Sequence, residues 1–375
     1  MTETILVINA GSSSLKFSLY VRQADLRLLA SGAVTEIGDM PSFSGKVGDV
    51  KSNNVLPVIY THKDSLRHIL GWVEKQNLGI IVMAAHRVVH GGVQFKEPVV
   101  VTPEVMQQLR ALTPLAPLHQ PHNLAAIEIL DKLNLSIPQI ACFDTAFHAG
   151  HTPLFSRYAI PQNLTDKGIR RYGFFGLSYE WIAHVMRQDH PTLAKGRVIV
   201  AHLGNGAGLC AMKNGVSIDT TMGMTALDGL PMGTRCGSLD PGAVIFMIRD
   251  LKISPDDAEH IFYNDCGLKG LSGLTNNVKR LQDSADPKAK FALDYFSLRI
   301  AQFIGMMAVA IGGMDALVFT GGIGEHAEGI RQSTMHHLAF LKPFETLVIP
   351  ANEEVIMAGH AFALMQDTLK QRKAS

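Results

Sequence analysis

The chain predicts an α/β fold made of two duplicated domains, and three observations carry that prediction. Short apolar runs alternate with helical patterns along all 375 residues. The opening strand–turn–strand, ILVINAGSSSLKFSLY at 5–20, is repeated in architecture by VIVAHLGNGAGLCAMKNG at 198–215. A third buried-strand signature, ALVFT, runs straight into the Gly-rich stretch GGIGEHAEGIR at 321–331.

Taken in order, Ile5–Ile8 is a continuous apolar run, the mark of a strand covered on both faces. After the turn, Phe17, Leu19 and Val21 alternate with Lys16, Ser18 and Tyr20, which predicts a half-buried strand over 15–21. A Walker loop needs G-x-x-x-x-G-K-[ST] opening a helix, and this stretch has neither the spacing nor the helix. Turn amides, hydroxyls and Lys16 can still form an anion nest, and an ordinary Ser-rich hairpin is the plainer alternative. Strands follow at 80–84, 98–101, 139–143, 197–201, 207–213 and 315–320. Helices are expected at 103–112, 122–133, 178–189, 240–250, 287–311 and 353–370. The apolar run FIGMMAVAIGGM, 303–314, is too short for a bilayer and reads as a buried helix end stopping at Gly312-Gly313.

Composition narrows the class. The chain is 47% hydrophobic and 18% charged with a net charge of +1, which argues against a dedicated nucleic-acid surface. Its four cysteines form no C-x-x-C pair, and its start carries no basic-then-apolar leader. A cytoplasmic protein with free thiols and no membrane span is expected. No H-E-x-x-H, G-x-S-x-G or G-x-G-x-x-G occurs, which argues against a zinc hydrolase, a nucleophile elbow and a Rossmann enzyme.

Polar clusters flank the Gly-rich turns. AHRVVHGG (85–92) carries His86, Arg87 and His90, and PLAPLHQPHN (114–123) carries His119 and His122. CFDTAFHAGH (142–151) ends a strand with Asp144 and His148, and PMGTRCGSLDP (231–241) places Arg235 in a loop. Strand ends and loops are where α/β proteins build sites. Any one of these residues alone could equally be structural: a satisfied core His, a helix-capping Asp or a surface ion pair.

In this order the segments VINAGSSSLKF, HRVVHGG, PLAPLHQPHN, FDTAFH, RRYGFFGLSYEW, HLGNGAGLCAMKNGVSIDTTMGMT, GLPMGTRCGSLDP, VFTGGIGEHAEGIR and IPANEEVIMA resemble the acetate kinase family, of the sugar kinase, Hsp70 and actin superfamily. The resemblance implies two actin-like (ribonuclease H-like) domains with an interdomain active-site cleft. The first would span 1–148, completed by a helix at 355–375, and the second 149–354. It implies reversible transfer of the ATP γ-phosphoryl group to acetate or another short-chain carboxylate, with Mg²⁺ (or Mn²⁺), in a homodimer.

By position, Asn9 and Glu353 would help hold the metal, directly or through its waters, and Ser12, Ser14 and Lys16 would surround the transferring phosphate. Arg87 and Arg235 would hold carboxylate and phosphoryl oxygens, oriented by Asp144, with His119 nearby. His202, Gly204, Asn205 and Gly206 would form the second phosphate loop. Gly322, Ile323, Gly324 and Glu325 would border the adenosine, and Val89, Leu118 and Phe174 the acyl pocket. The residue types suit the chemistry: a carboxylate is already a nucleophile, so the site needs neutralisation and in-line positioning. Arginine's planar fork supplies both.

Departures stand against the family pattern Y-G-F-H-G-T-S-H and its neighbours. Phe175 replaces the His expected to donate to the phosphoryl group, and Tyr179 replaces a second His. Asn277 and Lys279 stand where an Asp and an Arg are common near the adenosine, His326 replaces an Asn, and Ala226 replaces a pocket Pro. The sequence thus leaves a working acetate or propionate kinase set against two alternatives: a divergent member with weak or altered activity, or a silent nucleotide-binding protein. The intact Asn9, Arg87, Asp144, Arg235 and Glu353 favour the first. An apolar acyl pocket disfavours an ATP hydrolase.

Overall fold

A computed structural model describes residues 1–11, 13–133 and 137–374; Ser12 lies outside them. The chain forms two compact units, one of Met1–Ala146 with the segment from Asn352, the other of Phe147–Ala351.

The first unit holds β1 (Glu3–Ala10), β2 (Leu15–Val21), β3 (Leu28–Thr35), β4 (Ser42–Val47), β5 (Val50–Val55), β6 (Ile80–Val88), β7 (Val99–Val100) and β8 (Gln139–Phe143), in sheet order β5-β4-β3-β2-β1-β6-β8-β7. The second holds β9 (Arg197–Leu203), β10 (Ala207–Lys213), β11 (Val216–Thr220), β12 (Ala316–Thr320) and β13 (Glu345–Val348), in order β11-β10-β9-β12-β13. Within each sheet the first two pairings are antiparallel: β1–β2 and β2–β3 match β9–β10 and β10–β11. The crossovers β1–β6–β8 and β9–β12–β13 are parallel. The duplication is therefore topological, with β4, β5 and β7 added to the first copy.

Strand β2 departs from the half-buried expectation. Ser18 and Tyr20 are buried along with Phe17 and Leu19, and only Lys16 is exposed. The reason is that β2 lies inside the sheet while the C-terminal helix, Glu353–Ala374, packs over it. Phe17 stacks with Phe43 and meets Trp72 edge-on, anchoring the helix His62–Lys75. That helix starts at a Thr61–Asp64 capping box.

In the second unit the helix Pro287–Ile311, with the bounds expected from the sequence, is by length and composition apolar enough to cross a membrane. Its face Phe296, Ile300, Ile304 and Met307 is buried in the unit, and Gly312 ends it in the left-handed region at φ 77°.

Candidate active site

The first unit gathers its polar residues at the ends of neighbouring parallel strands. Asn9 is near the end of β1, Arg87 near the end of β6, and Asp144 directly follows β8, so strand pairing alone brings them together. Arg87 Nε donates to both Asp144 oxygens at 3.1 Å, Nη2 donates to Oδ2 at 2.5 Å, and Nη1 donates to Asn9 Oδ1 at 3.4 Å. Asp144 is 1% exposed. Burial works against the Arg87 charge, but Asp144 and Glu353 outweigh it and raise the pKa. The guanidinium is thus a permanent cation held in one plane.

Glu353, at the start of the C-terminal helix, is pushed up to about 7. Burial of the carboxyl is the main cause, and Asp144 and Glu354 add to it against Arg87. Part of the residue's surface is still open, so it is the carboxyl's position among protein atoms that matters.

The hairpin joining β1 to β2 is closed by Gly11 N–H to Ser14 O at 2.8 Å, with Asn9 facing Lys16 in register. Helix Gln120–Lys132, preceded by His119, holds this edge. Asn123 donates to Ala10 O at 2.7 Å and accepts from Val89 N at 3.0 Å, tying β1 to the loop after β6. Gln120 exchanges two bonds with His90, and His62 bonds Gly11 O at 2.8 Å. Sequence reasoning missed Gln120, Asn123 and His62, although the first two stand within the PLAPLHQPHN motif. Val89 is buried, whereas Leu118 is 40% exposed.

The second unit has its own cluster around the turn 204–206, closed by Gly204 N–H to Gly206 O at 2.8 Å. His202 Nδ1 accepts from Ser178 Oγ at 2.8 Å if its proton sits on Nε2, and its ring stacks on Phe175 at 4.3 Å and 17°. Phe175 precedes the helix Gly176–Asp189 with φ 59°, a left-handed conformation unusual for so bulky a residue. A Cβ on Gly206 would lie 2.9 Å from the Phe175 ring and 3.6 Å from Arg235 Nη1, so only glycine lets these groups close in. Arg235 donates to Ala226 O at 3.3 Å, and its guanidinium carbon lies 5.9 Å from the Tyr263 ring centroid.

Beneath this loop lies a buried network. His148 Nε2 bonds Phe174 O at 3.0 Å, and Ser217 Oγ receives or gives bonds to His148 Nδ1 at 2.8 Å and His151 Nε2 at 2.7 Å. Since Nε2 must donate to the carbonyl, Ser217 donates to Nδ1 and His151 donates to Ser217. Burial pushes His148 down to about 3 and His151 to about 4, so both are neutral. This network fixes the backbone that presents Phe174 and Phe175.

A cavity of about 700 Å³ lies in the same unit, lined by Asn205, Asn277, Lys279, Gly322, Ile323 and His326. Asn276, Gln282 and Asp283, not singled out from the sequence, line it too. Gly324 and Glu325 do not. Gly324 packs against β9 and β12, and Glu325 accepts from Ala351 N at 3.0 Å. The Gly-rich stretch after β12 is itself helical from Gly321 to His326, so no turn precedes the helix. Asn277 caps the helix Val278–Gln282 through Arg280 N at 3.1 Å.

Among the described residues no cluster of three or more His, Cys, Asp or Glu is arranged for a metal. Asn9 and Glu353 nonetheless fit a hard cation: both offer oxygen, and a cation would offset the burial that raises the Glu353 carboxyl.

The family model described as the acetokinase family matches residues 4–358. An acetate kinase of Rhodopseudomonas palustris is 46% identical, with 97% of this chain and 92% of that protein covered. One of Nitrobacter hamburgensis is 43% identical over 97% of each. Among solved structures, a propionate kinase of Francisella tularensis aligns with TM-score 0.90 at 34% identity, covering 96% and 98% of the two chains. Porphyromonas gingivalis acetate kinase aligns with TM-score 0.86 at 31% identity, covering 97% and 100%.

Proposed function

The chain belongs to the acetokinase family, and from that premise we propose that it transfers the γ-phosphoryl group of ATP to acetate, giving acetyl phosphate and ADP reversibly. The observation that carries the reading is the Arg87 guanidinium, clamped by a buried Asp144 with its Nη1 turned to Asn9. A fixed, permanent cation at strand ends suits an anionic acceptor and the charge spread over a transferring phosphoryl group.

Each unit contributes its own part. In the first, Arg87 binds and orients anionic oxygens, and Ser14 and Lys16 add donors at the hairpin. In the second, the turn 204–206, His202 and Arg235 face phosphate oxygens, and the 700 Å³ cavity takes the nucleoside. Asn9 and Glu353 hold Mg²⁺ (or Mn²⁺), which when bound neutralises phosphate charge. The carboxylate of the acceptor attacks phosphorus without a general base. The Phe175 side chain gives no hydrogen bond, so His119 is the histidine left to donate to the transferring group.

A second acceptor, propionate, is favoured by one feature: Ala226, which Arg235 contacts through its carbonyl, leaves more room than the proline common there. We place the protein in the cytoplasm as a homodimer. Phe291, Tyr295, Leu298, Met306 and Val309 form an exposed stripe along the helix Pro287–Ile311, which offers apolar surface to a second copy.

The test is a Mg-ATP assay with acetate, propionate and butyrate, trapping acyl phosphate as hydroxamate while following ADP. Hydroxamate equal to ADP, with acetate or propionate preferred, is expected. ADP without hydroxamate would overturn the reading.

A further inference from the structure

Two of the four thiols lie together beside Arg235. The segments 232–236 and 263–269 run side by side. Cys266 N–H bonds Thr234 O at 3.0 Å, Leu268 N–H bonds Met232 O at 2.9 Å, and Thr234 Oγ1 bonds Tyr263 O at 2.7 Å. These bonds hold the two loops together, so that the Cys236 and Cys266 side chains come close enough to interact. Both residues keep some exposure, whereas Cys142 and Cys210 are fully buried. Their interaction draws the Cys266 thiol down and, with burial, pushes Cys236 up. Two partly exposed thiols on adjoining loops form the arrangement of an attacking and a resolving cysteine.

We propose that Cys236 and Cys266 form an oxidation site at which a peroxide makes a disulfide that turns down phosphoryl transfer. The Cys266 thiolate attacks one peroxide oxygen. The O–O bond breaks, leaving Cys266 as a sulfenic acid and releasing hydroxide, which takes a proton and leaves as water. Cys236 sulfur then attacks the Cys266 sulfur, the S–O bond breaks, and the Cys236 proton leaves with that oxygen as a second water. Two thiols and one peroxide become one disulfide and two waters, so the two electrons lost by sulfur are those gained by oxygen.

The consequence follows from position. Closing two sulfurs from non-bonded contact to a bond of about 2.0 Å draws Cys236 toward Cys266. Arg235 is the adjoining residue, and Tyr263, which lies under its guanidinium, belongs to the opposite segment. Neither stays where the reduced protein holds it. The regulatory half of this inference rests on Arg235 serving phosphoryl transfer; the disulfide does not.

Purified protein treated with hydrogen peroxide and digested without reductant tests both halves. Expected are a mass-identified crosslink between the Cys236 and Cys266 peptides and a fall in acyl phosphate formation. That fall is about tenfold or more, as a displacement of a binding group of order 1 Å gives, and dithiothreitol reverses it. Cys236→Ser and Cys266→Ser should keep basal activity and resist peroxide. No crosslink, or oxidation at Cys142 or Cys210 instead, overturns the site. A crosslink with activity unchanged overturns the switch, and peroxide inhibition that persists in both Ser variants does the same. An absence of kinase activity before oxidation would condemn the functional reading while the crosslink still reports on the site.

Discussion

Phe175→His restores a hydrogen-bond donor at a position built around a flat ring. The backbone tolerates it, because φ 59° is a conformation that His adopts more readily than Phe. The Phe175 ring lies 4.3 Å from His202 and borders Gly206, so an imidazole there reaches the turn 204–206 with a ring nitrogen. One donor aimed at developing charge is worth about 10²–10³ in rate, or roughly 2.7–4 kcal/mol. His202 already lies beside the same turn, so the realised gain is the smaller part. A rise in kcat of at least about tenfold, near 1.4 kcal/mol, is expected. KM for acetate should stay within about threefold, because the gain belongs to the transition state. The assay is initial rate against acetate at saturating Mg-ATP, with Phe175→Leu as a ring-free control that gains nothing. An unchanged kcat in Phe175→His would refute the argument and mean that the site works through the aromatic ring as it stands.

Three further outcomes follow from the buried titratable groups. Asp144→Asn leaves the Arg87 cation without its main partner, and a loss of about 3–5 kcal/mol in urea unfolding should accompany the loss of activity; unchanged stability would sink the clamp. Glu353 has a folded-state pKa near 7 against an ordinary 4.5, so the folded chain keeps a proton that the unfolded one releases between those values. Stability therefore falls as pH rises from about 4.5 to 7, by about 3 kcal/mol, and Glu353→Gln should remove that slope. His148 behaves in the opposite sense. Its pKa is depressed from 6.5 to about 3, so its contribution is complete above 6.5 and is lost as pH falls toward 3. His148→Gln should flatten the acid limb of the unfolding curve, and an unaltered limb would show that the network carries no such load.

What could be read in advance follows the strength of the apolar signal. The central strands announced themselves because they are covered on both faces: β1, β8 and β12 are nearly uninterrupted apolar runs. Strands β3, β4 and β5 were missed, since Gly32, Gly45 and the exposed VKSNNV dilute any alternation. Strand β13 is short and mostly exposed, so it left no periodic trace. The helix His62–Lys75 could have been found from its Thr61–Asp64 capping box. At the site, Arg87 and Asp144 were legible as charges at the ends of apolar runs. Asn123 and Gln120 were not, because a buried amide bonding backbone across 30 or more residues leaves no local pattern. The Cys236–Cys266 contact joins two loops with no shared motif, and only the fold brings it about.

The most direct measurement follows the acceptor oxygen itself. Protein, Mg-ATP and acetate labelled with ¹⁸O in its carboxylate should give acetyl phosphate whose ³¹P resonance carries the isotope shift of a labelled bridging oxygen, one for each ADP formed. ADP accompanied only by inorganic phosphate, or acetyl phosphate without the label, would contradict carboxylate attack on the γ-phosphorus.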